Sequence, residues 1–224
     1  MAAAKVKVDS EVAEKIVVPE MKTATMKLRI HGDSLIAHAW SEKAKKQIQE
    51  SQSQKDQQIQ SSNVKKKKRP PRDPKAEYEA ARYLDSQGRD CIPAVGIKNA
   101  IVTAGMRFLG LKKDTLRGVI YIRGDLLPIK FRKRVMRTDS VNIGWPKVAD
   151  LRYRPEYQDW SVDFEIQFDE EFISPESLLN LIRRAGFSVG LFEWRPEKGG
   201  QHGTFEVESK VQIRTSGRRM KKAA

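Results

Sequence analysis

The elements read from the sequence run strand, helix, strand, strand, helix, strand. That order places the chain in the α+β class, with the split βαβ arrangement of the ferredoxin-like fold. Three observations carry the expectation. Residues 22–31, KTATMKLRIH, and 160–168, WSVDFEIQF, alternate polar with apolar as half-buried strands do. Ile97, Ile101, Ala104 and Phe108 recur at helical spacing behind a Pro-Ala-Val-Gly lead. Ser174-Pro175-Glu176 supplies an N-cap, a proline at the first helical position and an acidic first turn to a helix that Gly186 is expected to close.

In chain order, residues 1–20 are small and charged and read as a flexible arm. One domain then spans 21–209. Gly32-Asp33-Ser34 is expected to turn the chain after the first strand. Residues 41–75 read as a long basic insertion, largely disordered, because Lys, Gln and Ser bury too little surface to offset the ordering of their backbone. DPKAEYEAARYL offers a short helix with Asp73 at its start. Leu116–Ile122 and Leu126–Phe131 read as strands around an Arg-Gly-Asp turn, and Asn142–Pro146 as a further turn. Residues 210–224 form a basic tail.

The glycine-rich stretch Ala185–Val207 holds five of the chain's fourteen glycines and is read as the last strand pair with its loop. Such a cluster implies positive φ or a backbone closely approached by something else. Trp194, Arg195 and Lys198 stand in it, a π-face and two cations beside bare backbone.

The net charge is +14, and its distribution is segregated. Residues 41–75 carry eleven Lys/Arg against four Asp/Glu, 107–137 carry ten against two, and 210–224 carry six against none. Residues 156–176 hold eight acids and no base. Basic blocks of this kind imply a polyanion partner, and the acidic block implies either a neighbouring subunit's basic face or a surface kept clear of the polyanion. No apolar run is long enough to span a bilayer and no signal-peptide core begins the chain, so a cytoplasmic protein without a membrane partner is expected. The single cysteine, Cys91, has no partner for a disulfide or a metal site and is expected to be a small buried residue. No cofactor is implied.

The Gly32-Asp33-Ser34-Leu35-Ile36 segment, the Ile92-Pro93-Ala94-Val95-Gly96-Ile97-Lys98-Asn99-Ala100-Ile101 loop and helix, and the Gly190–Phe205 loop together resemble the RAMP superfamily, which includes the backbone subunits of CRISPR surveillance complexes. The resemblance implies an RNA-recognition-motif-like domain that binds single-stranded nucleic acid and stacks head to tail along it. The layout, including the Trp-Arg-Pro-Glu-Lys-Gly-Gly loop, also resembles uncharacterised proteins of tailed bacteriophages.

These readings converge on a non-catalytic protein that coats single-stranded RNA or DNA as a homo-oligomer. Basic side chains displace counterions from phosphates while an aromatic stacks on bases. The expected backbone contacts are Lys98, Lys130, Arg132, Lys133, Arg134, Arg195 and Lys198, with Trp194 as the stacking residue. Lys65, Lys66, Lys67, Lys68 and Arg69 add affinity without sequence preference. Two rivals stand beside this reading. One is an RNA endonuclease using Asp33, where some members of the superfamily place a cleaving aspartate, with His31, His38 and His202 the only imidazoles. The other is a lattice component of a phage particle.

Overall fold

The computed structural model describes residues 20–39, 72–143, 148–208 and 212–215. The basic run Lys65–Arg69, Trp145 and most of the two terminal segments lie outside these residues. The strands are β1 (Thr23–Ile36), β2 (Cys91–Pro93), β3 (Ile120–Ile122), β4 (Leu126–Ile143), β5 (Val148–Asp169), β6 (Glu206–Val207) and β7 (Gln212–Thr215). The helices are α1 (Pro74–Ala80), α2 (Ala94–Leu109), α3 (Lys113–Val119) and α4 (Pro175–Ser188). The strands join in the order β2-β4-β5-β1-β6, with β3 also pairing β5 and β7 also pairing β1. The β1–β5, β1–β6, β1–β7 and β4–β5 pairs are all antiparallel.

The alternation seen in sequence fills one face of this sheet. Ala24, Met26, Leu28 and Ile30 of β1 and Val162, Phe164, Ile166 and Phe168 of β5 are buried, and the register sets Leu28 against Phe164. Helices α2 and α4 close the core with Ile97, Ile101 and Ala104 from one and Leu178, Leu181 and Ile182 from the other. Phe108 continues the helical spacing but is 45% exposed, with the Arg184 guanidinium over its ring. Cys91 is buried, as expected.

Several boundaries differ from the sequence reading. Strand β1 does not turn at Gly32-Asp33-Ser34 but runs on to Ile36, since β5 pairs with it along its whole length. Leu116–Val119 is helical, with Leu116 buried under α2, so only Ile120–Ile122 of the expected strand remains. The strand expected over 160–168 extends in both directions, so that β5 runs unbroken from Val148 to Asp169. Helix α4 passes through Gly186 to Ser188. Glycine stands there because a Cβ would lie 2.0 Å from the Phe205 carbonyl oxygen. Gln212–Thr215, read as part of the tail, pairs with Ala24–Lys27.

Asp159, with φ of 51°, changes which side of β5 faces the core. On its C-terminal side Trp160 and Val162 are buried, and on its N-terminal side it is Tyr157. The β4–β5 pairing continues beyond the end of β1, from Arg137↔Arg154 to Ile143↔Val148, as a two-stranded arm. A lone hairpin is marginal in water. The base of this one is pinned by the buried Arg154, 2.8 Å from Asp139 and 3.6 Å from Glu193, and its length by Arg72, which donates to Asp150 and to the Leu151 carbonyl.

Candidate nucleic-acid interface

The sheet face away from α2 and α4 carries the odd-numbered residues of β1 from Thr23 to His31 and the outward residues of β4 and β5. On it, acids and bases pair across strands. Arg29 and Lys130 both reach Asp163, at 2.7 and 2.8 Å, while Lys27 and Arg123 reach Glu165 at 2.7 and 3.2 Å. The hydrogen bond from Arg29, aided by that from Lys130, holds the Asp163 carboxyl below its ordinary value. Asp159, Asp163 and Glu165 of the acidic block therefore lie on the middle strand of the sheet, paired with basic residues of the neighbouring strands and turns. Glu156 belongs to the same pattern, ion-paired with Arg137 at 3.5 Å.

The expected contact residues fall into distinct environments. Lys130 is 66% exposed at its side chain but paired with Asp163, and Arg132 is paired with Asp159 at 2.5 Å. Lys133 is exposed and has no ionic partner among the described residues. Arg134 turns to the other side of β4. It donates to Asp90 at 2.8 Å and lies over the Tyr78 ring, so it holds the fold together. Lys98 lines a cleft of about 280 Å³ with Val95, Tyr121 and Asp125 at the start of α2.

The glycine stretch forms a compact loop rather than a strand pair; Glu206–Val207 joins the sheet as β6, and Glu193 makes a single antiparallel bridge to Ile36. Its backbone closes on itself. Leu191 N–H donates to Gly203 O at 2.8 Å, and His202 N–H donates to Trp194 O at 2.9 Å. A Cβ at Gly200 would lie 1.8 Å from Trp194 O and one at Gly203 2.0 Å from Leu191 O, so these glycines admit neighbouring backbone. Arg195 is held inside the loop, 2.7 Å from both Glu197 and the Phe192 carbonyl, and Arg107 of α2 ties Glu197 from outside at 2.9 Å. Lys198 is exposed in a 3₁₀ turn.

Phe192 and Trp194 adopt left-handed φ of 59° and 52°. Such a conformation costs a bulky residue roughly 1–3 kcal/mol and persists where surrounding contacts hold it. Phe192 is held by stacking on Tyr83, ring centroids 5.3 Å apart, and Glu193 between them donates its N–H to Ile36 O. Trp194 is left 41% exposed at the surface of a rigid loop.

One group of residues went unassigned by motif reading. Ser34 Oγ lies 2.7 Å from Glu156 Oε1 and 2.9 Å from His202 Nδ1, where the glycine loop docks on β1. The register sets Lys133, Gln158 and Ser34 side by side on three adjacent strands, and cross-strand neighbours of this kind share a face. The sequence shows the only imidazole of the glycine loop, but it does not bring residue 202 to residue 34. Asp33 is exposed on the same stretch of β1. Among the described residues no three His, Cys, Asp or Glu side chains are grouped to hold a metal ion, and no helix is long and apolar enough to cross a membrane.

These features define an α+β protein whose antiparallel sheet is backed by helices on one face and carries charged side chains on the other. Its fold is similar to that of a chain in a Type III-B Cmr-beta complex bound to cognate target RNA, with a TM-score of 0.53 at 10% sequence identity. The likeness covers 86% of this chain and 61% of the other, so this chain spans about three fifths of that chain's length. At this identity the likeness is one of fold, and it accords with the RAMP-like fold expected from the motifs. No protein-family model matches the chain, and no curated protein matches it. The bacteriophage resemblance gains no support from these comparisons.

Proposed function

We propose that this chain is a ferredoxin-like, RNA-recognition-motif-like domain that binds single-stranded nucleic acid without catalysis. The strand would run along the open sheet face and the rim of the glycine loop. The reading is carried by three exposed side chains: Lys133 on β4, which has no ionic partner among the described residues, and Trp194 and Lys198 of the glycine loop. The ferredoxin-like assignment rests on strand order. With β3 and β4 taken as one edge and β6 and β7 as the other, the long strands β5 and β1 occupy the centre, each antiparallel to its neighbours. The RNA-bound state of the structural neighbour supports the choice of ligand.

Cations whose charge is free attract phosphate, and an exposed indole stacks on any base, so sequence-tolerant binding is the expected outcome. Head-to-tail stacking loses the electrostatic reason that charge segregation suggested, because Asp163, Glu165 and Glu156 face basic residues of their own sheet. We therefore propose binding that does not require the acidic stretch to meet a second copy. The test is fluorescence anisotropy with single-stranded and duplex oligonucleotides of one sequence over a range of salt. The reading requires single strands to bind more tightly and affinity to fall steeply with salt. Affinity that is flat from low to physiological salt would sink it.

A further inference from the structure

We infer that His202 reads the ribose 2′-hydroxyl, which would make this a site for RNA in preference to DNA; the inference rests on the nucleic-acid binding proposed above. The argument begins with where one proton must be. Glu156, paired with Arg137, offers only acceptor oxygens, so the Ser34 hydroxyl hydrogen points to it across 2.7 Å. Ser34 Oγ is then left as an acceptor toward His202, 2.9 Å away. His202 must carry its proton on Nδ1 to fill that bond. In a neutral imidazole the other nitrogen, Nε2, is then a lone-pair acceptor. Nε2 has no hydrogen-bond partner among the described residues and is not among the buried unpaired atoms.

The relay fixes more than the tautomer. Gly203 N–H donates to the Ser34 carbonyl at 2.8 Å and His202 N–H to the Trp194 carbonyl at 2.9 Å, so the backbone on both sides of the imidazole is tied down. The ring is therefore presented in one orientation, beside the exposed Trp194 and in the neighbourhood of Lys133. Lys133 and Ser34 are two strands apart, roughly 10 Å from the sheet spacing.

The chemistry of the ligand supplies the selectivity. The sugar-phosphate backbone of DNA presents acceptors only, and lysine or arginine serves it as well as it serves RNA. The 2′-hydroxyl is the one hydrogen-bond donor an RNA backbone adds. A preorganised acceptor nitrogen in the neighbourhood of a phosphate-binding cation distinguishes the two polymers without reading a base.

The test uses the full chain and three oligonucleotides of uniform uracil base: ribose, 2′-deoxy and 2′-O-methyl. The 2′-O-methyl sugar keeps the oxygen and loses the donor. The ribose strand is expected to bind about fivefold to tenfold more tightly than both others, the yield of one net hydrogen bond of about 1 kcal/mol. His202→Phe should remove that difference while leaving the affinity for the 2′-deoxy strand unchanged. Ser34→Ala, which frees the imidazole to turn, should reduce the difference, with circular dichroism confirming that both variants fold. A 2′-O-methyl strand that binds the unaltered chain as well as the ribose strand would overturn the inference without any variant. An undiminished ribose preference in folded His202→Phe would do the same. Binding of all three strands with equal affinity leaves the proposed function standing and removes this inference, whereas binding of none of them removes both.

Discussion

Asp90 is the residue whose replacement tests the structural argument most directly. Its side chain is 5% exposed and receives four donors: Arg82 Nε at 2.7 Å and Nη2 at 3.0 Å, Arg134 Nη1 at 2.8 Å and the Tyr157 hydroxyl at 2.7 Å. These contacts tie the segment after α1 to β4 and β5 at the root of the hairpin arm. Burial by itself would raise the Asp90 carboxyl, but the hydrogen bonds from Arg82 and Tyr157 and the charges of Arg134 and Arg82 outweigh it and hold the group below its ordinary value. Asp90→Asn removes the charge and turns an amide donor toward guanidinium donors. Loss of one partner of a buried ion pair costs about 3–5 kcal/mol. Glu79, 2.5 Å from Arg82 and 3.8 Å from Arg134, remains to both cations, which places the expected loss near the lower end, about 3 kcal/mol. For a chain of this size that lowers the melting temperature by roughly 6–12 °C. Tyr157→Phe, which deletes one donor and keeps the ring, should cost about 1.5 kcal/mol.

The sign of the pH dependence follows from the depressed carboxyl. Asp90 contributes stability that is present above the unfolded carboxylate value, about 3.9, and is lost as pH falls through the lower folded value. Melting followed by circular dichroism should therefore show a wide gap between the parent chain and Asp90→Asn at pH 7 that narrows below about pH 4. A variant within about 1 kcal/mol of the parent at pH 7, or a gap that stays constant down to pH 3, would refute the reasoning.

Other outcomes follow from the same geometry. Asp163→Asn releases Lys130 on the open face and leaves Arg29 to Glu208, so affinity for a single strand should rise about fivefold at 0.1 M salt if one phosphate contact is gained; unchanged affinity would place the strand elsewhere. Lys133→Gln should have the opposite effect and lessen the slope of log affinity against log salt by about 0.7, as titrations at several salt concentrations would reveal. Gly203→Ala, at φ of 70° and with its Cβ driven onto Leu191 O, should destabilise the chain by about 1–3 kcal/mol in urea unfolding. Deletion of Ser51–Lys68 is expected, from composition alone, to preserve the melting temperature and weaken binding. Loss of cooperative unfolding in that variant would contradict it.

The central strands and both long helices were legible in the chain because burial acts with a fixed local period. Met26, Leu28 and Ile30, or Phe164, Ile166 and Phe168, declare one apolar face whatever lies across from them, and Ser174-Pro175 marks a helix start by local hydrogen bonding. The sequence also showed a segregated basic charge, and it marked the glycine loop as a place of close backbone approach. Tertiary structure alone decided what those charges and glycines do. Asp163 and Glu165 were an acidic block in sequence and became internal counterions because the register set them beside Arg29, Lys130 and Lys27. Arg134 and Arg195 looked as available as Lys133, yet they are committed to Asp90 and Glu197 by contacts 44 and 2 residues apart in the chain. Leu116–Val119 has strand-like composition but is helical where Leu116 packs beneath α2. Ser34 and His202, separated by 168 residues, meet because the glycine loop closes on the end of β1. Local periodicity is a property of neighbouring residues and survives in the sequence, whereas ion pairing and tautomer choice depend on which strands the fold sets side by side.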